Sequence, residues 1–278
     1  MSNFRHRFWR NKTAVISGAC LVFICVIAAL APVIAPEDPT RMFNERRLEG
    51  SSSDFWLGTD QFGRDLLSRV IYGAQVSLTV GVSSVAISAF FGALFGLLAG
   101  YFGRIVDAVI MRIMDVLFAF PEILLALAVV AVLGPGTYKT IVAIGVVNIP
   151  VFTRTVRGAV LSVKNLDYVE SARAIGARTP RILFREIFPN VSAPLLVQSS
   201  IAISGAILTE SILSFLGLGV QPPDPSWGGM IAEARRFMEL APGMVLWPCA
   251  AMTVTILAFN LFGDALRDIL DPKHQAGK

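Results

Sequence analysis

Long stretches without charged residues alternate with short polar segments throughout this chain. Runs with at most one charged residue cover residues 13–36, 70–103, 116–138, 191–220 and 240–263. Each run is longer than the roughly 20 apolar residues that a helix needs to cross a bilayer. Backbone groups in lipid must be satisfied internally, so only helices and closed barrels span membranes, and these runs are far too long for barrel strands. The pattern predicts an all-α polytopic membrane protein.

The runs and their flanking residues predict six transmembrane helices, at about 14–35, 76–100, 110–133, 138–158, 193–216 and 244–264. The chain then divides into a basic N-terminus (1–13), a first span (14–35), an outer loop (36–75), a core with five spans (76–264), and a C-terminal segment (265–278). Within the outer loop, Gly58, Asp60 and Gly63 predict turns. The stretch "RDLLSRVIYGA" predicts a short amphipathic helix on the outer surface that leads into the second span.

The basic residues orient the spans. Sixteen of the 24 Lys and Arg residues fall on one set of segments, which includes both termini and the loop 160–190. Segments rich in Lys and Arg stay on the cytoplasmic side. Both termini and the loop 160–190 are therefore expected in the cytoplasm.

The composition excludes several classes of protein. The chain of 278 residues is 54% hydrophobic and only 16% charged, against about 25% in soluble domains. Its net charge of +4 comes from basic residues beside the spans, which suits lipid and not a nucleic-acid partner. Cys20, Cys25 and Cys249 lie within spans and are interpreted as small apolar residues. His6 and His274 lie at opposite ends, so we expect no metal site.

The cytoplasmic loop contains a basic stretch, "YVESARAIGARTPRILFREIFPN", that predicts two short helices with a joint. Asp167 is expected to cap the first helix, and Gly176 to end it in a left-handed conformation. Thr179 is expected to cap the second helix with Pro180 in its first turn, and Pro189 to stop it.

Two partners fit this jointed pair on physical grounds. Its arginines would bind anionic lipid headgroups if it lay on the membrane surface. The small residues Ala172 and Ala174, beside Gly176 and Ala177, would instead fit the groove of a protein. The joint favours a protein, because a helix lying on lipid needs no capped break.

Polar and small residues within the spans each have two interpretations. Glu122, Asn148, Glu210 and Asn260 either line a translocation path or fix the packing of helices by hydrogen bonds, and we favour packing. A stripe of small residues at intervals of four faces either this chain's own helices or another subunit; its members are Ser84, Ser88, Gly92, Gly96 and Gly100.

The cytoplasmic stretch resembles the "EAA" loop of ABC-importer membrane subunits. It reads "ESARAIG…IFP", with Ser171 in place of the first Ala of the motif. The resemblance implies that this loop is a coupling helix that sits in a cleft of an ATPase subunit. The coupling residues carried over are Glu170, Ser171, Ala172, Gly176, Ala177 and Pro189.

Four further stretches resemble the C-type permease of dipeptide, oligopeptide and nickel importers. They are "LGTDQFGRDLLSRVIYGAQVSL", "IMRIMDVLFAFP", "SILSFLGLGVQPPDPSWGGM" and "AFNLFGDALRDILDP". The resemblance implies a type I ABC importer permease fold in the bacterial inner membrane. It implies a homologous B-type permease as the other half of the pathway, two cytoplasmic ATPases and an extracytoplasmic substrate-binding protein. ATP and Mg²⁺ would bind to the ATPases, and this chain would hold no cofactor and catalyse no reaction.

The expected cargo is a dipeptide or oligopeptide, with nickel or glutathione as the alternative within the same family. Two other classes of membrane protein remain as rivals. An ion-driven secondary transporter usually has internal repeats, and none is evident. A membrane-embedded enzyme would need a catalytic constellation, and the sequence has no HExxH motif and no histidine within a span.

Overall fold

The computed structural model describes residues 2–270, with side chains from His6 onwards. The helices are α1 Ser2–Arg10, α2 Lys12–Ala29, α3 Ala31–Ile34, α4 Leu66–Phe102, α5 Arg104–Phe118, α6 Glu122–Leu133, α7 Thr137–Val163, α8 Asp167–Ala174, α9 Thr179–Phe215, α10 Trp227–Ala234 and α11 Gly243–Leu270. A stretch of π-helix, Ile182–Ile187, lies within α9, and a 3₁₀ turn, Arg235–Phe237, follows α10. The predicted segment 265–278 begins inside α11, and its last part lies outside the described residues.

The membrane-spanning helices confirm the predicted all-α class. Within the described range, α2, α4, α7, α9 and α11 are each long and apolar enough to cross a bilayer. The third predicted span, 110–133, is two helices and not one, since α5 and α6 meet at 91°. Pro121 explains the break, because it has no N–H to donate and disfavours helical backbone at Phe120. Taken together, the bent pair passes the same test of length and composition, so the described residues contain five such helices, or six if the pair counts as one span.

The second span begins earlier than predicted. The amphipathic stretch expected as a separate outer helix is the first part of α4, whose N-terminus Asp65 caps by accepting from Ser68 N at 2.8 Å. This part of α4 is covered by the buried indole of Trp227, which donates from Nε1 to Val70 O at 3.1 Å. Because α10 covers the apolar face of this first part of α4, the stretch packs in the bundle and does not lie on the surface.

The stripe of small residues on α4 faces α7 of the same chain. A Cβ added at Gly92 would lie 2.3 Å from Cβ of Phe152, and one added at Gly96 would lie 2.7 Å from Cβ of Val156. Ser88 Oγ donates to Gly145 O on α7 at 2.7 Å. The interpretation that this stripe packs within the chain is therefore the correct one of the two.

The helices of the loop 160–190 differ from the prediction at three ends. Leu166 precedes α8 and Arg178 precedes α9, so Asp167 and Thr179 are first helical residues and not caps. Pro189 does not stop the second helix, because α9 continues to Phe215. The π-helical turn shifts the hydrogen bonds ahead of Pro189: Phe188 N donates to Leu183 O, five residues back. That shift makes room for the proline ring within the helix.

Candidate functional site

The loop 160–190 contains a well-formed glycine turn. Gly176 has φ +78°, as predicted. Its N–H donates to Arg173 O at 2.9 Å, and Ala177 N donates to Ala172 O at 3.0 Å. These two hydrogen bonds are the Schellman arrangement that ends helices at a left-handed residue. The turn fixes the angle between α8 and α9.

The inner face of α8 packs on the base of the bundle. Val169 and Ala172 are buried in one apolar cluster with Val160 of α7 and Ile187 of α9. Ala172 is only 8% exposed, so its side chain packs against the bundle. Ala177 packs beside the same cluster. Movement of α8 is therefore tied to α7 and α9.

Polar contacts reinforce this attachment. The guanidinium of Arg173 stacks over the ring of Tyr101, 5.3 Å from its centroid. Lys164 Nζ donates to Gly100 O at the end of α4, at 2.9 Å. Arg157 binds Asp107 of α5 with two hydrogen bonds, at 2.5 and 2.6 Å. The ends of α4, α5 and α7 near α8 are thus joined to one another or to α8 by polar contacts.

The outer face of the loop is exposed and contains large apolar side chains. Ile175 and Phe184 are 78% and 63% exposed. Of the predicted coupling residues, Glu170, Ser171, Gly176 and Pro189 are also exposed. The sequence analysis missed Ile175 as a surface residue; the signal was its position just before Gly176, at the end of the helix.

Glu210 lies inside the bundle with no exposed surface. Ser77 of α4 and Ser214 of α9 donate to its carboxylate at 3.2 and 2.6 Å. Ser226, which caps α10 by accepting from Gly229 N, also hydrogen-bonds to Glu210. The carboxylate connects two spans and the outer helix, which is a packing role.

The other polar residues of the spans lie in two further places. Asn260 accepts from Ser204 Oγ at 2.7 Å between α9 and α11. Glu122 is the first residue of α6 and is exposed at the bend. Asn148 Nδ2 and Thr209 Oγ1 both lie 3.4 Å from Glu122 Oε1, so three helices contribute to this group.

A buried ionic cluster joins the two outer loops, and the sequence analysis did not find it. Asp60 and Arg64 form an ion pair at 2.5 Å, and Arg64 Nη2 also binds Glu233 of α10 at 2.6 Å. Arg69 lies 3.6 Å from both carboxylates. The residues are up to 173 positions apart in sequence, so only the fold reveals the cluster.

The same outer region has a surface ion pair and a cavity. The Arg46 guanidinium hydrogen-bonds to Glu49 at 2.6 and 2.7 Å, which lowers the pKa of that carboxyl from its ordinary value. A cavity of about 1020 Å³ opens between the loops and is bordered by Arg64, Glu233 and Arg236. No group of three or more His, Cys, Asp or Glu residues able to hold a metal occurs in residues 2–270.

This geometry defines an all-α membrane protein in which two long helices, α7 and α9, are linked by the jointed loop 160–190. The fold is similar to a solved chain from "Inward facing conformations of the MetNI methionine ABC transporter", with TM-score 0.60 over 74% of this chain and 98% of that one. At 16% identity, that likeness concerns the fold alone. It agrees with the predicted type I ABC importer permease fold.

Sequence comparisons identify the family. The model of the "binding-protein-dependent transport system inner membrane component" matches residues 92–275, and that of the "N-terminal TM domain of oligopeptide transport permease C" matches residues 1–50. The chain belongs to this family, as a C-type permease subunit of an ABC importer, and is a multi-pass inner membrane protein.

Two curated relatives cover almost the whole chain. The glutathione transport system permease protein GsiD of Pectobacterium atrosepticum is 48% identical over 97% of this chain and 90% of its own length. The di/tripeptide transport system permease protein DppC of Pseudomonas aeruginosa is 46% identical over 98% of this chain and 92% of its own. The resemblance found in the sequence is confirmed.

Proposed function

We propose that this chain forms half of the translocation pathway for peptides of two or three residues, including glutathione. The support is that relatives of nearly equal similarity are named for di/tripeptide and for glutathione transport. Glutathione is itself a tripeptide, so one substrate class covers both names. A homologous B-type permease would form the other half, and an extracytoplasmic binding protein would deliver the peptide.

The loop 160–190 is the proposed contact with the ATPase subunits. The observation that carries this proposal is the exposed apolar pair Ile175 and Phe184, held at a fixed angle by the turn at Gly176. Exposed apolar side chains rimmed by polar ones are typical of a surface that binds protein. The excess of basic residues on this segment supports a cytoplasmic location for the loop and both termini.

The lever would work through the packing of α8. When ATP and Mg²⁺ bring the two ATPases together, α8 would be pushed along with the helices that it contacts. Val169 and Ala172 would transmit this movement to α7 and α9, because they pack against both. The π-helical turn in α9 is the kind of irregularity at which helices bend during function.

The test is co-purification of the ATPase subunits with variant permeases. Ile175→Glu and Phe184→Glu are expected to lose most of the ATPase that remains bound in mild detergent, since each would place a charge inside an apolar contact. Leu240→Glu is the matched control, because Leu240 is 75% exposed but lies in the outer segment between α10 and α11. Retention of the ATPase by both cytoplasmic variants would contradict the assignment of this surface.

A further inference from the structure

Glu122 is an exposed carboxylate that lies beside the middle of a helix long enough to span the membrane. It begins α6 at the 91° bend and lies beside Asn148 and Thr209, which belong to long spanning helices. Asn148 is eleven residues from the start of α7, which places it about 16 Å along the helix, near the centre of the bilayer. The bend therefore brings a charged group to the midplane.

The carboxylates of α5 are paired, and the one inside the bundle is enclosed. Asp107 binds Arg157, and Asp115 binds Arg154 at 2.6 Å. Glu210 is enclosed by serine hydroxyls. Among the described residues, no cationic side chain lies within 4 Å of a carboxylate oxygen of Glu122, whose two contacts are long and come from neutral groups.

An unpaired carboxylate facing lipid is strongly unfavourable, so such residues face a bundle interior or a water-filled cavity. The exposed face around Glu122 continues toward the cytoplasm with the pair Asp115–Arg154, whose side chains are also largely exposed. Between that pair and the bend, the exposed side chains Phe118 and Phe120 are apolar. Glu122 is therefore an isolated acidic group on a mixed surface, beside the polar side chains of Asn148 and Thr209.

We propose that Glu122 binds the cationic amino group of the transported peptide at the bend between α5 and α6. This inference rests on the proposed function, which supplies the substrate class. An α-amino group has a pKa of about 7.7–8.0, so most of a peptide population carries an ammonium group at neutral pH. An ammonium has three donors and no acceptor, and a carboxylate is its natural partner.

Asn148 and Thr209 act as positioning residues. Asn148 uses Nδ2 for its contacts with Glu122 and with Ile144 O, which leaves Oδ1 as a second acceptor near the carboxylate. Thr209 approaches the same carboxylate oxygen from α9. Because α6, α7 and α9 all contribute, movement of the helices would change the shape of the site and release the peptide.

The first test compares carboxylate exchanges in the complete transporter, reconstituted with its binding protein. Glu122→Gln is expected to lower the maximal rate of dipeptide uptake about tenfold, because a hydrogen bond to a charged group is lost. The dipeptide concentration that gives half of the maximal uptake rate should stay the same, since the binding protein sets it. Glu122→Asp should keep most of the rate, and Glu239→Gln, an exposed residue of the outer segment, should match the wild type.

Equal uptake by Glu122→Gln and Glu239→Gln would overturn the inference while leaving the proposed function intact. A wild-type complex that hydrolyses ATP with its binding protein but takes up no di- or tripeptide would refute the proposed function instead. Co-purification of the partner subunits with Glu122→Gln shows that a lost rate does not come from failed assembly.

The second test restores the charge chemically. In a variant without Cys20, Cys25 and Cys249, Glu122→Cys is treated with a sulfonate-bearing or an ammonium-bearing methanethiosulfonate. The anionic adduct is expected to recover uptake and the cationic adduct to block it. Phe23→Cys, on an exposed apolar face of α2, should not react. If Glu122→Cys did not react either, the bend would be covered by lipid or by dry protein and the inference would fail.

Discussion

Glu210 illustrates how a single buried carboxylate organises the outer half of the bundle. The serines that donate to it have further duties: Ser214 also accepts from Val220 N at 3.1 Å, and Ser226 accepts from Gly229 N at 3.2 Å. A hydroxyl that accepts from a backbone N–H still has its own hydrogen to donate, and Glu210 receives it. The carboxylate thereby fixes the loop after α9 and the start of α10.

Replacing Glu210 should therefore cost far more than replacing one of its donors. Glu210→Ala leaves several buried hydroxyls without an acceptor, and we expect a loss of about 3 kcal/mol in the free energy of unfolding. Ser77→Ala removes one contact, and about 1 kcal/mol is expected. Thermal unfolding of the purified complex in detergent measures both. Equal shifts in Tm for the two variants would contradict the role of Glu210 as a hub.

The sequence indicates which polar residues of the spans are unusual, but it does not predict what surrounds each of them. Glu122 and Glu210 look alike in the sequence, as single carboxylates in apolar runs. One is exposed at a bend and the other is enclosed by serines. The difference comes from Ser77 and Ser226, which belong to distant segments, so the pairing depends on the tertiary fold.

Helices α4 and α7 pack closely, and the stripe of small residues on α4 is the sequence signal for this contact. Gly92, Gly96 and Gly100 lie on one face of α4 and allow the side chains of α7 to approach its backbone. Small residues permit this approach in lipid, where the hydrophobic effect does not drive helices together.

A methyl group added to this face should separate the two helices. Gly92→Ala would place Cβ 2.3 Å from Cβ of Phe152, and relief requires a backbone shift that costs about 1–3 kcal/mol. Gly205→Ala makes the same exchange in α9, where nothing lies within 4 Å, and should be neutral or gain up to about 1 kcal/mol. Denaturation of the two variants side by side tests the contact, and a Gly92→Ala protein as stable as Gly205→Ala would disprove it.

A helix end could be predicted from the sequence where the backbone conformation of one residue determines it. It could not be predicted where a shift in the backbone hydrogen bonds lets the helix continue. Gly176 ends α8 as expected, because its positive φ suits glycine. Pro189 was expected to end a helix, but a π-helical turn accommodates it. The apolar run continues through the bend at Pro121, so hydropathy predicts one span at 110–133, and only the proline itself indicates that the helix breaks there.

The two outer loops bring together segments that are far apart in the sequence. Residues between α3 and α4 are joined to α10 by the cluster of Asp60, Arg64, Arg69 and Glu233, while Trp227 fastens α10 to α4. The inner end of the molecule is joined instead by apolar packing around α8. Thus ion pairs hold the end that contains the two long loops, and apolar packing of α8 with α7 and α9 holds the opposite end.

This arrangement predicts that the stability of the outer layer depends on Asp60 far more than on exposed acidic residues nearby. Asp60→Asn removes the charge that faces two buried guanidinium groups, and breaking such a pair costs about 3–5 kcal/mol. Asp54→Asn is the matched control: Asp54 also binds an arginine, Arg46, at 2.7 Å, but its side chain is 63% exposed, and no measurable change is expected. Unfolding of the purified complex should show a lower Tm for Asp60→Asn alone, and trypsin should cut its outer loop at Arg46 or Arg47 faster than in Asp54→Asn. Equal Tm values and equal cleavage rates would mean that apolar contacts, such as that of Trp227, hold the outer layer without the ionic cluster.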